Sequence, residues 1–264
     1  MKIISWNVNG IRATYNKWEL AKFIEAYNPD IIFMQEIKAT EDKLPKELKT
    51  PEWYEAFYNS AEKPGYAGTG VWVKNEHRKY IHSLQTGFEG DPTANEGRVS
   101  HLILEKDGEI YDIFGIYFPN GGKSEEAWKG KIVFYHEFAK RMDELRALGH
   151  YVLWWGDLNC AHHEIDLARP KENDGKIWFH PVERAWLDGR VKDGWSDIWR
   201  EKNPSVTEVY SWWDPVTRSR ERNLGWRIDA WWGEQKIIAK VRDIWYLPLQ
   251  MGSDHCPLFV DLDF

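Results

Sequence analysis

Four stretches of this chain set apolar runs directly against groups that are costly to bury. Three of the runs end on such groups: Ile3-Ile4-Ser5-Trp6-Asn7, Ile31-Ile32-Phe33-Met34-Gln35-Glu36 and Val152-Leu153-Trp154-Trp155-Gly156-Asp157-Leu158-Asn159. The fourth begins on them, with the turn Gly252-Ser253-Asp254-His255-Cys256-Pro257 leading into Leu258-Phe259-Val260. Short apolar runs bounded by turn residues have the length of buried strands. An Asn, Glu, Asp or His buried at a strand end without a task costs free energy. Four such ends predict strands whose termini assemble one polar site. Asp254-His255 is the densest of them, two adjacent residues that bind metals or transfer protons.

The remaining pattern is mixed. Residues 16–27 read as an amphipathic helix with Trp18, Ala21, Phe23, Ile24 and Tyr27 apolar, broken by Asn28-Pro29-Asp30. Strands are predicted at Thr69–Lys74, Arg98–Glu105 and Ile110–Phe118, the last two joined by a Lys106-Asp107-Gly108-Glu109 hairpin turn. The clearest helix spans 124–148, where Trp128, Ile132, Tyr135, Ala139, Met142 and Leu145 recur at helical spacing and Gly149 supplies a stop. Glu164 to His180 reads as a long polar loop and Pro181–Leu187 as the start of a short helix. Tyr210–Trp213, Arg227–Trp232, Ile237–Trp245 and Leu258–Leu262 read as strands. No low-complexity linker or short repeat divides the 264 residues. One α/β domain of two packed sheets flanked by helices accounts for this order.

Composition narrows the function. The 42% apolar fraction supplies a core, and 35 Lys+Arg against 42 Asp+Glu leave a net charge of −7. That excludes a general polyanion-coating protein, which would be basic. It leaves room for a nucleic-acid enzyme whose acids gather metal and whose bases cluster locally. The 17 Trp include more rings than stacking platforms need, so most are core or strand-face residues. Cys160 and Cys256 make no disulfide framework. No signal-peptide pattern opens the chain, and no apolar run approaches the ~18 residues of a membrane span. A soluble, intracellular (cytoplasmic) monomer that does not engage a membrane is the expectation.

The chemistry-bearing residues each admit two readings. Glu36 could hold Mg²⁺ or Mn²⁺, which take few protein oxygens, or be an ordinary strand-end acid. Asp157 and Asn159 face the same way on an extended segment and could orient a water, or form an Asx-turn. Asp229, inside Trp226-Arg227-Ile228-Asp229-Ala230-Trp231-Trp232, needs a partner. His255 would make it an acid–base device; Arg227 would make it structural. Tyr117 is a phosphate donor or an amphipathic rim residue. Arg218, Arg220 and Arg222, with Arg169-Pro170-Lys171, are phosphate contacts or solvated loop charge. His162-His163-Glu164 invites zinc, but no third ligand is evident.

Taken together, six ordered blocks resemble the exonuclease III family of abasic-site endonucleases: Ser5-Trp6-Asn7-Val8-Asn9-Gly10-Ile11-Arg12, Gln35-Glu36-Ile37-Lys38, Tyr117-Phe118-Pro119-Asn120-Gly121, Gly156-Asp157-Leu158-Asn159, Gly225-Trp226-Arg227-Ile228-Asp229 and Ser253-Asp254-His255-Cys256-Pro257. Glu164-Ile165-Asp166-Leu167-Ala168-Arg169-Pro170-Lys171 is similar to the loop that follows the fourth block in that family. The resemblance implies a four-layer α/β sandwich like deoxyribonuclease I. It also implies metal-dependent cleavage of duplex DNA 5′ to abasic sites, leaving a 3′-hydroxyl, with 3′-end trimming. Position by position, Glu36 is implied as the principal metal ligand, with Asn7 and Asp254 nearby. Asp157 is implied to place or activate water, supported by Asn159. His255, oriented by Asp229, and Tyr117 would act on the phosphate, with the base left open between Asp157 and His255. Trp212, Trp226 and Ile228 match an apolar pocket for the base-less sugar, and Arg12, Lys38, Lys123 and Arg220 match DNA-backbone contacts. The chain departs from some relatives at Asn9 (Asp), Trp212 (Phe) and Val216 (an intercalating Met). Action on damaged nucleosides such as deoxyuridine depends on the room in the pocket. Two rivals remain: a phosphoesterase of the same superfamily acting on a small phosphoester, and a damage-binding module without catalysis.

Overall fold

Two six-stranded mixed sheets lie face to face in the computed structural model, which describes residues 1–264. The first contains β1 (Lys2–Asn7), β2 (Ile31–Gln35), β3 (Tyr54–Asn59), β4 (Thr69–Lys74), β13 (Val241–Tyr246) and β14 (Leu258–Leu262), in spatial order β13-β14-β1-β2-β4-β3. The second contains β5 (Ile81–Thr86), β6 (Val99–Lys106), β7 (Glu109–Tyr117), β8 (Tyr151–Asp157), β9 (Trp195–Asp197) and β12 (Asp229–Glu234), in order β5-β6-β7-β8-β12-β9. A short ribbon pairs β10 (Trp212–Trp213) with β11 (Gly225–Trp226). Each sheet has one parallel pair, β1 with β2 and β7 with β8.

Helices cover the outer faces. Ile11 and Thr14 of α1 (Ile11–Asn16) and Leu20 and Phe23 of α2 (Glu19–Tyr27) are buried, and Ile11, Leu20 and Phe23 pack with Ile4, Trp6 and Trp72 of the first sheet. On the second sheet, α4 (Glu125–Ala147) and α6 (Pro181–Lys192) cover Phe114, Trp154 and Trp232. The short helices α3 (Lys46–Lys49), α5 (Pro170–Asn173), α7 (Ile198–Lys202) and α8 (Gln235–Ile238) complete the chain. The four-layer expectation therefore holds. With helix on one side and sheet on the other, both faces of a central strand are buried, which is why β1, β2 and β8 read as near-continuous apolar runs. Leu153 and Trp155 face the other sheet, where Trp155 meets Phe33 edge-on at 4.6 Å, while Val152 and Trp154 face the helices. Gly115 is required at that contact, because a Cβ there would lie 2.2 Å from the Phe33 ring. No helix is long and apolar enough to cross a membrane.

Strands β4 and β14 have the predicted limits, and α4 starts where Ser124 caps it by accepting from Ala127 N at 3.2 Å. Three readings need correction. The helix read at 16–27 begins only at Glu19: residue 16 closes α1, and the chain breaks at Trp18, which sits in the left-handed region (φ 62°) and is 68% exposed. Its apolar character is not spent on the core. The segment Ile237–Trp245 is a helical turn, α8, followed by β13: Ile237 and Ile238 are both buried, as consecutive residues of a strand covered on one face cannot be. The loop at 164–180 is not structureless, since it carries α5 and a 3₁₀ turn at Glu164–Asp166. The unforeseen strands β3 and β5 lie at sheet edges and are mostly half-buried or exposed, so they lack a continuous apolar run.

Candidate active site

Sheet register brings the strand ends together. Asp157 at the end of β8 pairs directly with Asp229 of β12 on one side and Tyr117 of β7 on the other. The sheet packed against it contributes Asn7 from β1, Glu36 just beyond β2, and the turn before β14. Asn7 is fully buried, and its amide nitrogen donates to Glu36 Oε1 at 2.9 Å and to Asp157 Oδ2 at 3.0 Å. Its oxygen accepts from Asn9 N at 3.0 Å. Asn7 thus ties two carboxylates together with its nitrogen, and its oxygen does not face them as a metal ligand would.

His255 Nδ1 bonds Asp229 Oδ2 at 2.8 Å, and its Nε2 stands 3.8 Å from Asp157 Oδ2. Asp157 and Asp229 are buried, as is His255. Arg227 pairs instead with Asp166 at 2.8 Å and Asp197 at 2.6 Å. The two readings of Asp229 are thereby resolved in favour of His255. Ser211 Oγ accepts from the backbone of both Ile228 and Asp229, which holds the carboxylate's own strand in place. Burial pushes the Asp157 carboxyl up to about 7; the His255 charge opposes this, and Asp229 and Glu36 add to it. Burial alone would lower the His255 pKa. Asp229 outweighs it, with help from Asp157 and Asp254, and the imidazole is raised to about 10. Tyr117 is driven up by burial and by Glu36 and Asp157, so it stays a neutral phenol able to donate; the Arg98 guanidinium lies 4.7 Å over its ring.

Ligand atoms of Glu36, Asp157 and His255 lie within 4.8 Å of one another, a cluster able to hold a metal ion. Its oxygen-rich side, Glu36 backed by Asp157, fits a hard cation that keeps most of its waters. Asp254 is outside that cluster. It accepts from Asn9 Nδ2 at 2.8 Å and Trp212 Nε1 at 3.1 Å, and is linked to Glu36 indirectly, through Asn9 and Lys38 and through Ser253 and Asn7. Glu36 (φ 50°), Lys38 (φ 50°), Asn9 (φ 44°) and Asn159 (φ 48°) all occupy the left-handed region, a concentration of backbone strain of the kind found at functional sites.

A family model described as the Endonuclease/Exonuclease/phosphatase family matches residues 4–255. The chain belongs to this family. It is 33% identical over 264 residues to an exodeoxyribonuclease of Bacillus subtilis, covering 98% of each chain. It is 33% identical to a DNA-(apurinic or apyrimidinic site) endonuclease of Dictyostelium discoideum, covering 100% of this chain and 71% of that one. Among solved structures, an AP endonuclease from Leishmania major superposes with a TM-score of 0.86 at 28% identity, covering 98% of this chain and 86% of that one.

In this family member the remaining predicted residues divide. Asp157 Oδ1 accepts from Asn159 N at 2.8 Å, so the Asx-turn is present at the strand end. The Asn159 amide is taken by Phe118 O and Asn120 Nδ2, which makes it a clamp between the ends of β7 and β8. Trp212, Trp226 and Ile228 do come together, around Ala161, Leu167 and Phe179. Arg12 and Lys123 are exposed. Arg220 is not free for phosphate: it donates to the carbonyls of Ser253, Pro248 and Gln250 and lies over the Trp213 ring, bracing the turn that carries Asp254 and His255. His162 and His163 do find a third group, Asp188, but His162 Nε2 already bonds it at 2.9 Å. The two rings stack face to face at 3.7 Å, so their lone pairs do not converge on one ion. Both cysteines are buried free thiols.

Residue-by-residue reading missed three supports. Lys131 is fully buried on α4, paired with Glu183, and donates to Asn159 O at 2.9 Å. Its signal was a lysine inside the apolar stripe. Asp166 gathers Arg200 and Arg227 beneath the pocket. Trp178, in the supposed polar loop, stands against both Trp212 and Trp226.

Proposed function

We propose that the chain hydrolyses the phosphodiester 5′ to abasic sites in duplex DNA, leaving a 3′-hydroxyl, and trims 3′ ends, with Mg²⁺ or Mn²⁺ as cofactor. The observation that carries the reading is the row Asp229–His255–Asp157 beside Glu36, set against the apolar Trp212/Trp226/Ile228 pocket. The polar row suits a phosphate and the pocket suits a sugar that has lost its base.

The different environments of two titratable groups support the following division of roles. His255, kept protonated by Asp229, is a hydrogen-bond donor to an oxygen of the scissile phosphate. Asp157, whose carboxyl is held near neutrality, accepts a proton from the attacking water. Tyr117 adds a neutral donor from the neighbouring strand. A divalent cation at Glu36, when bound, neutralises charge that grows on the phosphate oxygens. A cleft of about 360 Å³ beside Asp254, lined in part by Asn9, Lys17 and Arg218, has room for backbone of the bound duplex.

The test is cleavage of an end-labelled duplex carrying one tetrahydrofuran site, in Mg²⁺ and in EDTA. A single metal-dependent cut 5′ to the lesion is expected. An intact duplex, with phosphate released from an inositol phosphate instead, would overturn the substrate and leave the fold standing.

A further inference from the structure

Trp178 departs from its surroundings in three respects. It occupies the left-handed region at φ 71°, where a bulky residue other than glycine is strained. Its indole N–H is buried without a hydrogen-bond partner. Its ring stands edge-on to both tryptophans of the sugar pocket, 5.2 Å from Trp212 at 88° and 6.1 Å from Trp226 at 89°. Core packing does not account for this. The next residue, Phe179, anchors the loop in the core beside Ala161, Leu167 and Ile228, while Trp178 is only half-buried. Its carbonyl is held by Ala161 N at 2.8 Å, so the backbone is pinned in the strained state from outside. Strain that the surroundings enforce marks a place with a task.

From these observations we propose that Trp178 is the specificity-determining wall of the pocket, the ring that restricts it to a sugar without a base. This rests on the abasic-site reading and deepens it. Edge-to-face contact is a preferred geometry for aromatic pairs, so Trp178, set edge-on to both other indoles, closes the enclosure with defined geometry. Trp212 links that enclosure to the chemistry: its Nε1 donates to Asp254, and its ring centroid lies 6.5 Å from that of His255. A nucleotide that keeps its base brings a flat ring that must pass or displace Trp178. A base-less sugar does not.

The experiment uses three duplexes that differ at one position: a tetrahydrofuran site, deoxyuridine, whose base lacks the thymine methyl, and thymidine. Wild type, Trp178→Gly and Trp178→Phe are compared by kcat/KM for the cut 5′ to that position. For Trp178→Gly, kcat/KM on deoxyuridine rises about tenfold or more while that on the abasic duplex does not rise, on the scale of discrimination an apolar wall provides. Its melting temperature falls little, because glycine takes φ 71° freely and that relief offsets packing lost with the indole. Trp178→Phe keeps the wild-type preference. An unchanged preference in Trp178→Gly, or an equal loss on all three duplexes with a steeply lowered melting temperature, would overturn the proposal alone. A wild-type chain that leaves the abasic duplex uncut would overturn the abasic-site reading and this proposal with it.

Discussion

Asp157 and His255 face each other across 3.8 Å, and their proton affinities are displaced in the same direction for different reasons. For Asp157 the cause is first burial, which disfavours the carboxylate. The rate should therefore fall as pH drops through about 7, because the ionised form is the one that accepts a proton. A pH profile of kcat/KM that holds level down to ordinary carboxylate values would remove Asp157 as the base. Asp157→Asn should cut the single-turnover rate by roughly 10²–10⁴-fold while leaving DNA affinity, read by anisotropy, largely intact. For His255 the raised folded-state pKa gives a stability contribution of the opposite pH sense to a depressed carboxylate. It is fully present below the unfolded value of 6.5 and is lost as pH rises through about 10. The melting-temperature deficit of Asp229→Asn should be largest below pH 6.5 and shrink towards pH 10. An equal deficit at both ends would mean that Asp229 acts on stability through something other than the imidazole. From the residue alone Asp229 had two plausible partners; the choice fell to His255 because Asp166 and Asp197 occupy Arg227.

At the scale of elements, the segment from Glu164 to Arg169 is held by charge where apolar area is scarce. Asp166 is fully buried with Arg200 and Arg227 on one oxygen, and Arg227 N also bonds Asp166 O at 2.7 Å. Although burial opposes it, the two guanidinium groups hold the Asp166 carboxyl far below the usual range. Removing one partner leaves buried charge uncompensated, so Asp166→Asn should cost about 3–5 kcal/mol in urea denaturation. Arg169→Ala, an exposed residue of the same segment, should cost little; comparable losses at both would show that the network is not the anchor. The same contrast explains which elements could be read in advance. Central strands buried on both faces announce themselves as apolar runs. Edge strands β3 and β5 do not, and the break at Trp18 is hidden because an exposed tryptophan counts as apolar in any periodicity.

The whole molecule carries −7, so its grip on a polyanion must come from local cations and released counterions. Arg12→Ala and Lys123→Ala should each lower the slope of log K against log salt by about 1, for any DNA sequence. Arg220→Ala should leave that slope unchanged and lower the cleavage rate, because its donors hold the Ser253–His255 turn and not phosphate. Loss of slope in Arg220→Ala would restore it as a DNA contact. This division was not legible in the Arg218–Arg222 cluster, where all three arginines look alike until their donors are counted.

What the sequence by itself determined is local. Apolar runs set the central strands, and their polar endings named Asn7, Glu36, Asp157 and His255 as a group. Six ordered blocks were enough to indicate the family. The tertiary structure decided who touches whom. The register that sets Asp157 against Asp229, the sheet packing that brings Asn7 between two carboxylates, and the loop that swings Trp178 onto Trp212 and Trp226 all join residues distant in the chain. The physical reason is that strand periodicity and turn chemistry act over a few neighbouring residues. Hydrogen bonds and edge-on rings between strand ends exist only once both sheets have packed.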